Sequence, residues 1–249
     1  MGDNPVEVQV LSAAPYHNHK PYAGRVTKAS QLCFFLMEWI LSKHPVAYPV
    51  ALEAMEKRVG DIHAGCGKEG VWLLEHPALY TAGTSAKAED LLDPRFPVYE
   101  TGRGGEYTYH GPGQRVAYVM LDLKQRQKTP DIKKYIGQLE EWIIRALADF
   151  DIQGERRSGR VGIWLAATDQ QPERKIAAIG VRIRHWVTYH GIAVNLDPDL
   201  SHFSGIVPCG ISEYGVTSIA RELDRDVPMS ALDQALQQNW GPVFGSDPA

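Results

Sequence analysis

From Lys175 to Gly210 the chain reads KIAAIGVRIRHWVTYHGIAVNLDPDLSHFSGIVPCG, and this stretch constrains the fold more than any other. Two runs within it, 175–181 and 186–194, are short, apolar and bounded by polar or turn-forming residues, the composition of buried strands. A lysine (Lys175) heads the first run, a histidine–glycine pair (His190, Gly191) lies in the second, and the stretch closes on Cys209 between Pro208 and Gly210. Such a trio can run acyl transfer, because a nearby ammonium favours the thiolate and the thiolate is the attacking species. Taken singly, each residue has a plainer reading: a solvated strand end, a core histidine, a packing thiol.

Further strands are expected at 32–41, 71–74, 116–123 and 161–166. Helices are expected at 48–63, where Val50, Ala51, Ala54, Met55, Val59 and Ile62 recur at three- and four-residue steps, and at 132–150, where Tyr135, Ile136, Leu139, Trp142, Ile143, Ala146 and Leu147 share a face. A closing helix is expected at 230–244, with 168–174 a hairpin loop and 197–204 a loop or short helix. Pro77 ends the 71–74 run, and Thr81, Gly83, Thr84 and Ser85 then read as a loop, as does 90–97. Residues 1–30 mix Pro, Gly, Asn and His without periodicity and read as a flexible N-terminal extension; 31–249 reads as a single catalytic domain.

Composition excludes several classes. With 44% hydrophobic residues, 22% charged and a net charge of -4, the chain is ordinary for a globular protein and lacks the basic stripe of a nucleic-acid binder. The longest apolar run, 32–41, is interrupted by Glu38 and falls far short of the roughly 20 residues a membrane span needs. Three cysteines (Cys33, Cys66, Cys209) with no CxxC pair fit reduced thiols and a cytoplasmic location better than a disulfide or zinc framework.

The second informative stretch is 103–113, RGGEYTYHGPG, in which five of eleven residues are Gly or Pro. Such a backbone is shaped for close approach, and its glycines match neither a phosphate loop nor a dinucleotide fingerprint. RGGEYTYHGPGQ, then KIAAIGVRI, the His-Gly pair and F..I.PCGI, together with EHPALYTAG upstream, resemble the lipoyl(octanoyl) transferases, the LipB family, over roughly residues 38–220.

That resemblance implies an α+β domain, a mixed sheet with packed helices, similar to the catalytic domains of lipoate and biotin protein ligases. It implies an octanoyltransferase that takes octanoyl from acyl carrier protein and delivers it to a lysine of lipoyl domains, those of 2-oxoacid dehydrogenase E2 subunits and of the glycine cleavage H protein, with no cofactor and no metal. Cys209 would be the acyl acceptor and Lys175 the residue that lowers its pKa; Lys175 could also take a proton from the acceptor amine. Arg103, Gly104, Gly105, Glu106, Tyr107, Thr108, Tyr109, His110, Ala178, Ile179, Gly180, Gly191, Ile192 and Ala193 would line the acyl site, with His190 in support. Glu106 and Tyr107 fall where the family varies and receive no individual role. Arg115 stands where leucine is usual, which bears on packing behind the loop or on a local acidic contact with the carrier protein. Rival readings are an ATP-dependent lipoate or biotin ligase, a cysteine thioesterase, and a non-catalytic carrier-binding module.

Overall fold

The computed structural model describes residues 8–11, 37–207 and 214–245. In chain order the elements are β1 (Val8–Leu11), β2 (Glu38–Ser42), α1 (Tyr48–His63), β3 (Gly70–Leu74), β4 (Leu79–Ala82), β5 (Val98–Glu100), β6 (Tyr107–His110), β7 (Gln114–Met120), α2 (Leu123–Arg126) and α3 (Ile132–Ala148). They continue with β8 (Glu155–Arg157), β9 (Arg160–Leu165), β10 (Arg174–Arg184), β11 (Val187–Asn195), β12 (Gly215–Val216), α4 (Ile219–Leu223) and α5 (Met229–Phe244). Short 3-10 turns occupy Ala88–Asp90 and Leu200–Gly205.

The main sheet runs β1-β2-β3-β7-β11-β10-β9-β8, with β12 beside β10; a second sheet runs β5-β4-β6. Most pairs are antiparallel, while β2–β3, β4–β5 and β10–β12 are parallel, so the expected mixed sheet is present. Both faces of its centre are covered, and β7 and β11 are buried at every position. On one face α1 lays Ala51, Met55, Val59 and Ile62 against Trp72, Tyr118 and Tyr189. On the other, α3 and α5 bury Trp142 and Trp240, whose rings meet edge to face at 5.0 Å. Asp131 caps α3 by accepting from the Lys133 and Lys134 amides at 2.7 and 3.2 Å, a contribution of about 1 kcal/mol. Among the described residues no helix is long and apolar enough to cross a membrane.

Several expectations need correction. Val50, placed by periodicity on the apolar face of α1, is 47% exposed. The stretch read as an extension contributes β1, paired with β2 from Val8↔Ser42 to Leu11↔Trp39; β2 would otherwise be an open edge whose backbone groups lack partners. The expected 32–41 strand begins at Glu38, and Cys33 lies outside the described residues. Thr81 belongs to β4, and Tyr107–His110 of the expected loop forms β6, which pairs with β4 through Tyr80↔Tyr109 and Thr81↔Thr108. The Tyr-Thr-Tyr alternation favours a strand once a partner is present, whatever the glycines on either side prefer. Arg115 does not face outward toward a carrier: it is buried and pairs with Asp233 on α5, Nη2 donating to Oδ2 at 3.0 Å.

Candidate active site

Lys175 is the second residue of β10 and is buried. Two local features make room for it. The β9–β10 register shifts between Lys175 and Ala177, and Gly162 on β9 holds φ at +121° directly beside it. A Cβ at Gly162 would stand 2.5 Å from Lys175 Cε and 2.7 Å from the Ala177 carbonyl oxygen, so any side chain there would displace the lysine. The Lys175 ammonium lies 5.2 Å from the centre of the Trp164 ring, within cation–π range.

Cys209 lies outside the described residues, as do Pro208 and Gly210. The chain on either side of that segment is anchored. Before it, Val207 donates its amide to the Asp90 carbonyl at 2.8 Å and Ile206 bridges to Leu91. After it, Gly215 and Val216 pair with Arg174 and Lys175, and the Thr217 amide donates to the Lys175 carbonyl at 2.9 Å.

A cavity of about 300 Å³ opens between the 103–113 stretch and strands β10 and β11. Lys175, Arg103, Gly105, Glu106, Tyr107, Thr108, His110, Ala178, Ile179, Gly180, His190, Gly191, Ile192 and Ala193 all line it. Gly104 and Tyr109 do not. Gly104 instead docks the loop on β10, its amide donating to the Val181 carbonyl at 3.0 Å. Tyr109 points the other way from β6, into a cluster with Tyr80, Phe203 and Ile206, and its hydroxyl meets His202 Nδ1 at 2.8 Å.

Arg103 acts as the clamp of the loop. Its Nη2 donates to the Thr81 carbonyl and hydroxyl at 2.8 and 2.7 Å and to the Glu106 carbonyl at 3.0 Å. Its stem needs Gly180, where a Cβ would stand 2.7 Å from Arg103 Cδ. Behind His110 runs a chain of side-chain amides: Gln114 Nε2 donates to the Tyr109 carbonyl and to Asn195 Oδ1, and Asn195 Nδ2 donates to the Thr217 carbonyl at 2.9 Å. With both Gln114 amide protons committed, its Oε1 faces His110 Nδ1 at 2.7 Å, so that nitrogen carries the proton. The network ties the cavity wall to the strand returning from the Cys209 segment.

His190 holds φ at +58° inside β11, which turns its imidazole to the α1 face alongside Tyr189. Strict alternation would send it to the α3 face, where Thr188 and Ile192 point. Its Nε2 meets the Tyr48 hydroxyl at 3.0 Å, and its Nδ1 has no partner among the described residues. Burial, then the Arg103 and Arg182 guanidiniums, push its pKa down to about 3. Burial pushes His76 down to about 4, against the Val46 carbonyl that accepts from its Nδ1; burial and then His76 hold His110 well below the ordinary imidazole range. Two of these imidazoles, His110 and His190, line the cavity, and His76 packs behind His110.

Sequence reasoning missed Tyr48, Gln114, Tyr118, Asn195 and Gly162 as parts of the site. Only Gln114 carried a signal, as the last residue of the HGPGQ motif; the others are single residues on elements whose periodicity concerns the core.

The pattern of the lipoyl protein ligase A/B catalytic domain matches residues 47–241. An octanoyltransferase of Paramagnetospirillum magneticum is 62% identical over 212 residues, 85% of this chain and 98% of the relative. One from Nitrobacter hamburgensis is 59% identical over 214 residues, covering 84% and 88%. Among solved structures, a bi-partite lipoate protein ligase from Thermoplasma acidophilum superposes with a TM-score of 0.60 at 15% identity, covering 82% of each chain. A lipoate-protein ligase A bound with ATP gives 0.56 at 15% identity, covering 77% and 80%.

Proposed function

The chain belongs to the lipoyl protein ligase A/B catalytic-domain family and, at 62% identity across nearly all of one relative, to its octanoyltransferases; from that premise we propose a two-step transfer through Cys209. In the first step the Cys209 thiolate attacks the thioester of octanoyl-acyl carrier protein, the carrier leaves as a thiol, and the enzyme holds an octanoyl thioester. In the second, a lysine of a lipoyl domain attacks that thioester and leaves as the octanoyl amide. The acceptors are the 2-oxoacid dehydrogenase E2 subunits and the glycine cleavage H protein, and the reaction is cytoplasmic.

The observation that carries this reading is the buried Lys175 on the wall of the cavity, joined through Val216 to the segment that contains Cys209. A thiol with a pKa near 8.5 is only about 3% thiolate at pH 7, and lowering it to about 7 makes half of it reactive, a change of about 2 kcal/mol. One ammonium at close range can supply that. Thioester-to-thioester exchange keeps the acyl group activated, so no nucleotide is consumed. The cavity offers Val116, Ala177, Ile179 and Ile192 to the hydrocarbon tail. Burying the seven carbons beyond the carbonyl contributes up to about 5 kcal/mol.

The test is the reactivity of Cys209. Lys175→Ala should move the pH midpoint of its alkylation by iodoacetamide upward and slow octanoyl loading at pH 7 by about tenfold, somewhat less than the loss of thiolate because a more basic thiolate is a better nucleophile. An unchanged midpoint would remove Lys175 from the mechanism. Free octanoate with ATP should give no loading, which separates the transfer from an adenylating ligase.

A further inference from the structure

Resting on the acyl-enzyme reading above, we infer that Tyr48 and His190 together form the end wall of the acyl cavity and limit the chain it accepts to eight carbons. The floor of the cavity is laid by strand register. Ala178 on β10 pairs with Ala193 on β11, which pairs with Val116 on β7; two residues along, Gly180 pairs with Gly191, and Gly191 with Tyr118. All six line the cavity. The next row on that face is Arg182 opposite Tyr189, the guanidinium 5.5 Å from the centre of the tyrosine ring, and the cavity does not reach it. On β10 and β11, two rows without bulk make a channel and a row of large side chains stops it.

The wall is the hydrogen-bonded pair in front of that row. Tyr48, at the start of α1, and His190 are both buried and both line the cavity, and the Tyr48 hydroxyl meets His190 Nε2 at 3.0 Å. His190 reaches this face only through its φ of +58°, a strained conformation for a histidine inside a strand. Its ring stacks on that of Tyr189 at 5.1 Å, which blocks its retreat toward the closing row. A longer tail has to part Tyr48 from His190. That leaves the hydroxyl and Nε2 unpaired beside an Nδ1 that already has no partner among the described residues, and a hydrocarbon offers none of the three a hydrogen bond.

Strand geometry gives the length. The Arg182 row lies four residues beyond the Ala178 row, about 13 Å at a rise of about 3.3 Å per residue. An extended octanoyl chain measures about 9 Å from carbonyl carbon to methyl, at about 1.25 Å of advance per carbon–carbon bond. With its carbonyl over the Ala178 row, toward the Lys175 end, the chain stops where the Tyr48 and His190 side chains fill the remaining ~4 Å. Decanoyl and dodecanoyl chains overrun that point by about 2.5 and about 5 Å. A hexanoyl chain falls short and forgoes the burial of two methylenes, each of which changes binding about fourfold.

The experiment follows single-turnover loading of the full chain by intact mass, with hexanoyl, octanoyl, decanoyl and dodecanoyl thioesters of acyl carrier protein below saturation. Wild type should load octanoyl fastest, hexanoyl about 15-fold more slowly and dodecanoyl on the order of 100-fold more slowly. Tyr48→Ala should raise the dodecanoyl-to-octanoyl ratio on the order of tenfold or more. His190→Asn, shorter but at home at positive φ, should raise it in the same direction if Tyr48→Ala fails to fold. Tyr48→Phe keeps the ring and should keep the ratio within about threefold of wild type. An unchanged ratio in a folded Tyr48→Ala or His190→Asn enzyme overturns the inference, and so does a Tyr48→Phe enzyme that loads dodecanoyl as readily as octanoyl. Calorimetric binding of free octanoate and dodecanoate to Cys209→Ser, with and without Tyr48→Ala, reads the wall without any acyl-enzyme. There too Tyr48→Ala should favour dodecanoate, and an unchanged relative affinity counts against the wall. Failure of wild type to load any of the four thioesters would instead sink the acyl-enzyme reading, and the binding ratio would still decide the wall.

Discussion

Lowering the pH from 7 to 5 should remove about 5 kcal/mol of folding stability, through three imidazoles that the fold keeps neutral. His76, at about 4, and His190, at about 3, have folded pKa values far below the ordinary 6.5, and His110 lies well below it too. The unfolded chain binds a proton at each near pH 6.5, and the folded chain does not. A group with a depressed folded pKa contributes stability above its unfolded pKa and loses it as the pH falls, so the loss begins near pH 6.5 and continues until the folded imidazoles themselves titrate. Each contributes a slope of up to about 1.4 kcal/mol per pH unit. Carboxylates in ion pairs, such as Glu173 and Glu222, have lowered pKa values and act only below about pH 4.5. Urea unfolding between pH 7 and 5 should therefore report an uptake approaching three protons. His76→Gln should remove one of them. A flat profile over that range would mean that the histidines are solvated or already charged in the folded protein.

The second large effect concerns Arg115 and Asp233, a buried pair joining β7 to α5. Nη2 is well placed on Oδ2, but Nε stands 2.7 Å from Oδ1 off the line a hydrogen bond needs, and Nη1 has no partner among the described residues. Burial, and to a smaller extent the Glu75 carboxylate, raise the Asp233 pKa in spite of Arg115. Asp233→Leu leaves a guanidinium that cannot shed its charge and should cost about 3–5 kcal/mol. Arg115→Leu should cost less, because the orphaned carboxyl can take up a proton. Its destabilisation should shrink as the pH falls: with Arg115 gone the folded Asp233 pKa rises further, and a raised folded pKa gives stability at low pH that is lost as the pH rises through it. The double variant should be within about 1 kcal/mol of wild type or more stable, since well-packed apolar residues replace a half-satisfied ion pair. Thermal and urea unfolding of the four proteins check the cycle. Additive single effects would contradict it.

What the sequence made legible follows the kind of signal each element carried. The 48–63 helix was legible to the residue because apolar positions recur there at helical spacing, and four of the six, Ala51, Met55, Val59 and Ile62, are buried in the structure. The β10–β11 pair was visible as two apolar runs. Its turn was not, because His185 and Trp186 hold φ at +55° and +67° where Asn-Gly is the usual choice, and only the sheet on either side enforces that conformation. Strand β6 was hidden for the converse reason: its glycine-rich neighbours announce a loop, and the pairing with β4 that makes it a strand is non-local. The site was legible as motifs in order along the chain, which gave the cavity-lining stretches of β6, β10 and β11. Tyr48, Tyr118 and Asn195 reach the same cavity from elements whose sequence pattern reports only burial, so nothing local marked them.

The central claim is that the acyl group rests on Cys209 between donor and acceptor, and intact mass measured after incubation with octanoyl-acyl carrier protein tests it most directly. Wild type should gain a single octanoyl increment that hydroxylamine removes and that a lipoyl domain removes faster than water does; Cys33→Ser and Cys66→Ser should keep the increment, and Cys209→Ser should lose it. An increment that persists in Cys209→Ser, or one released at the same rate with and without the lipoyl domain, would contradict the account.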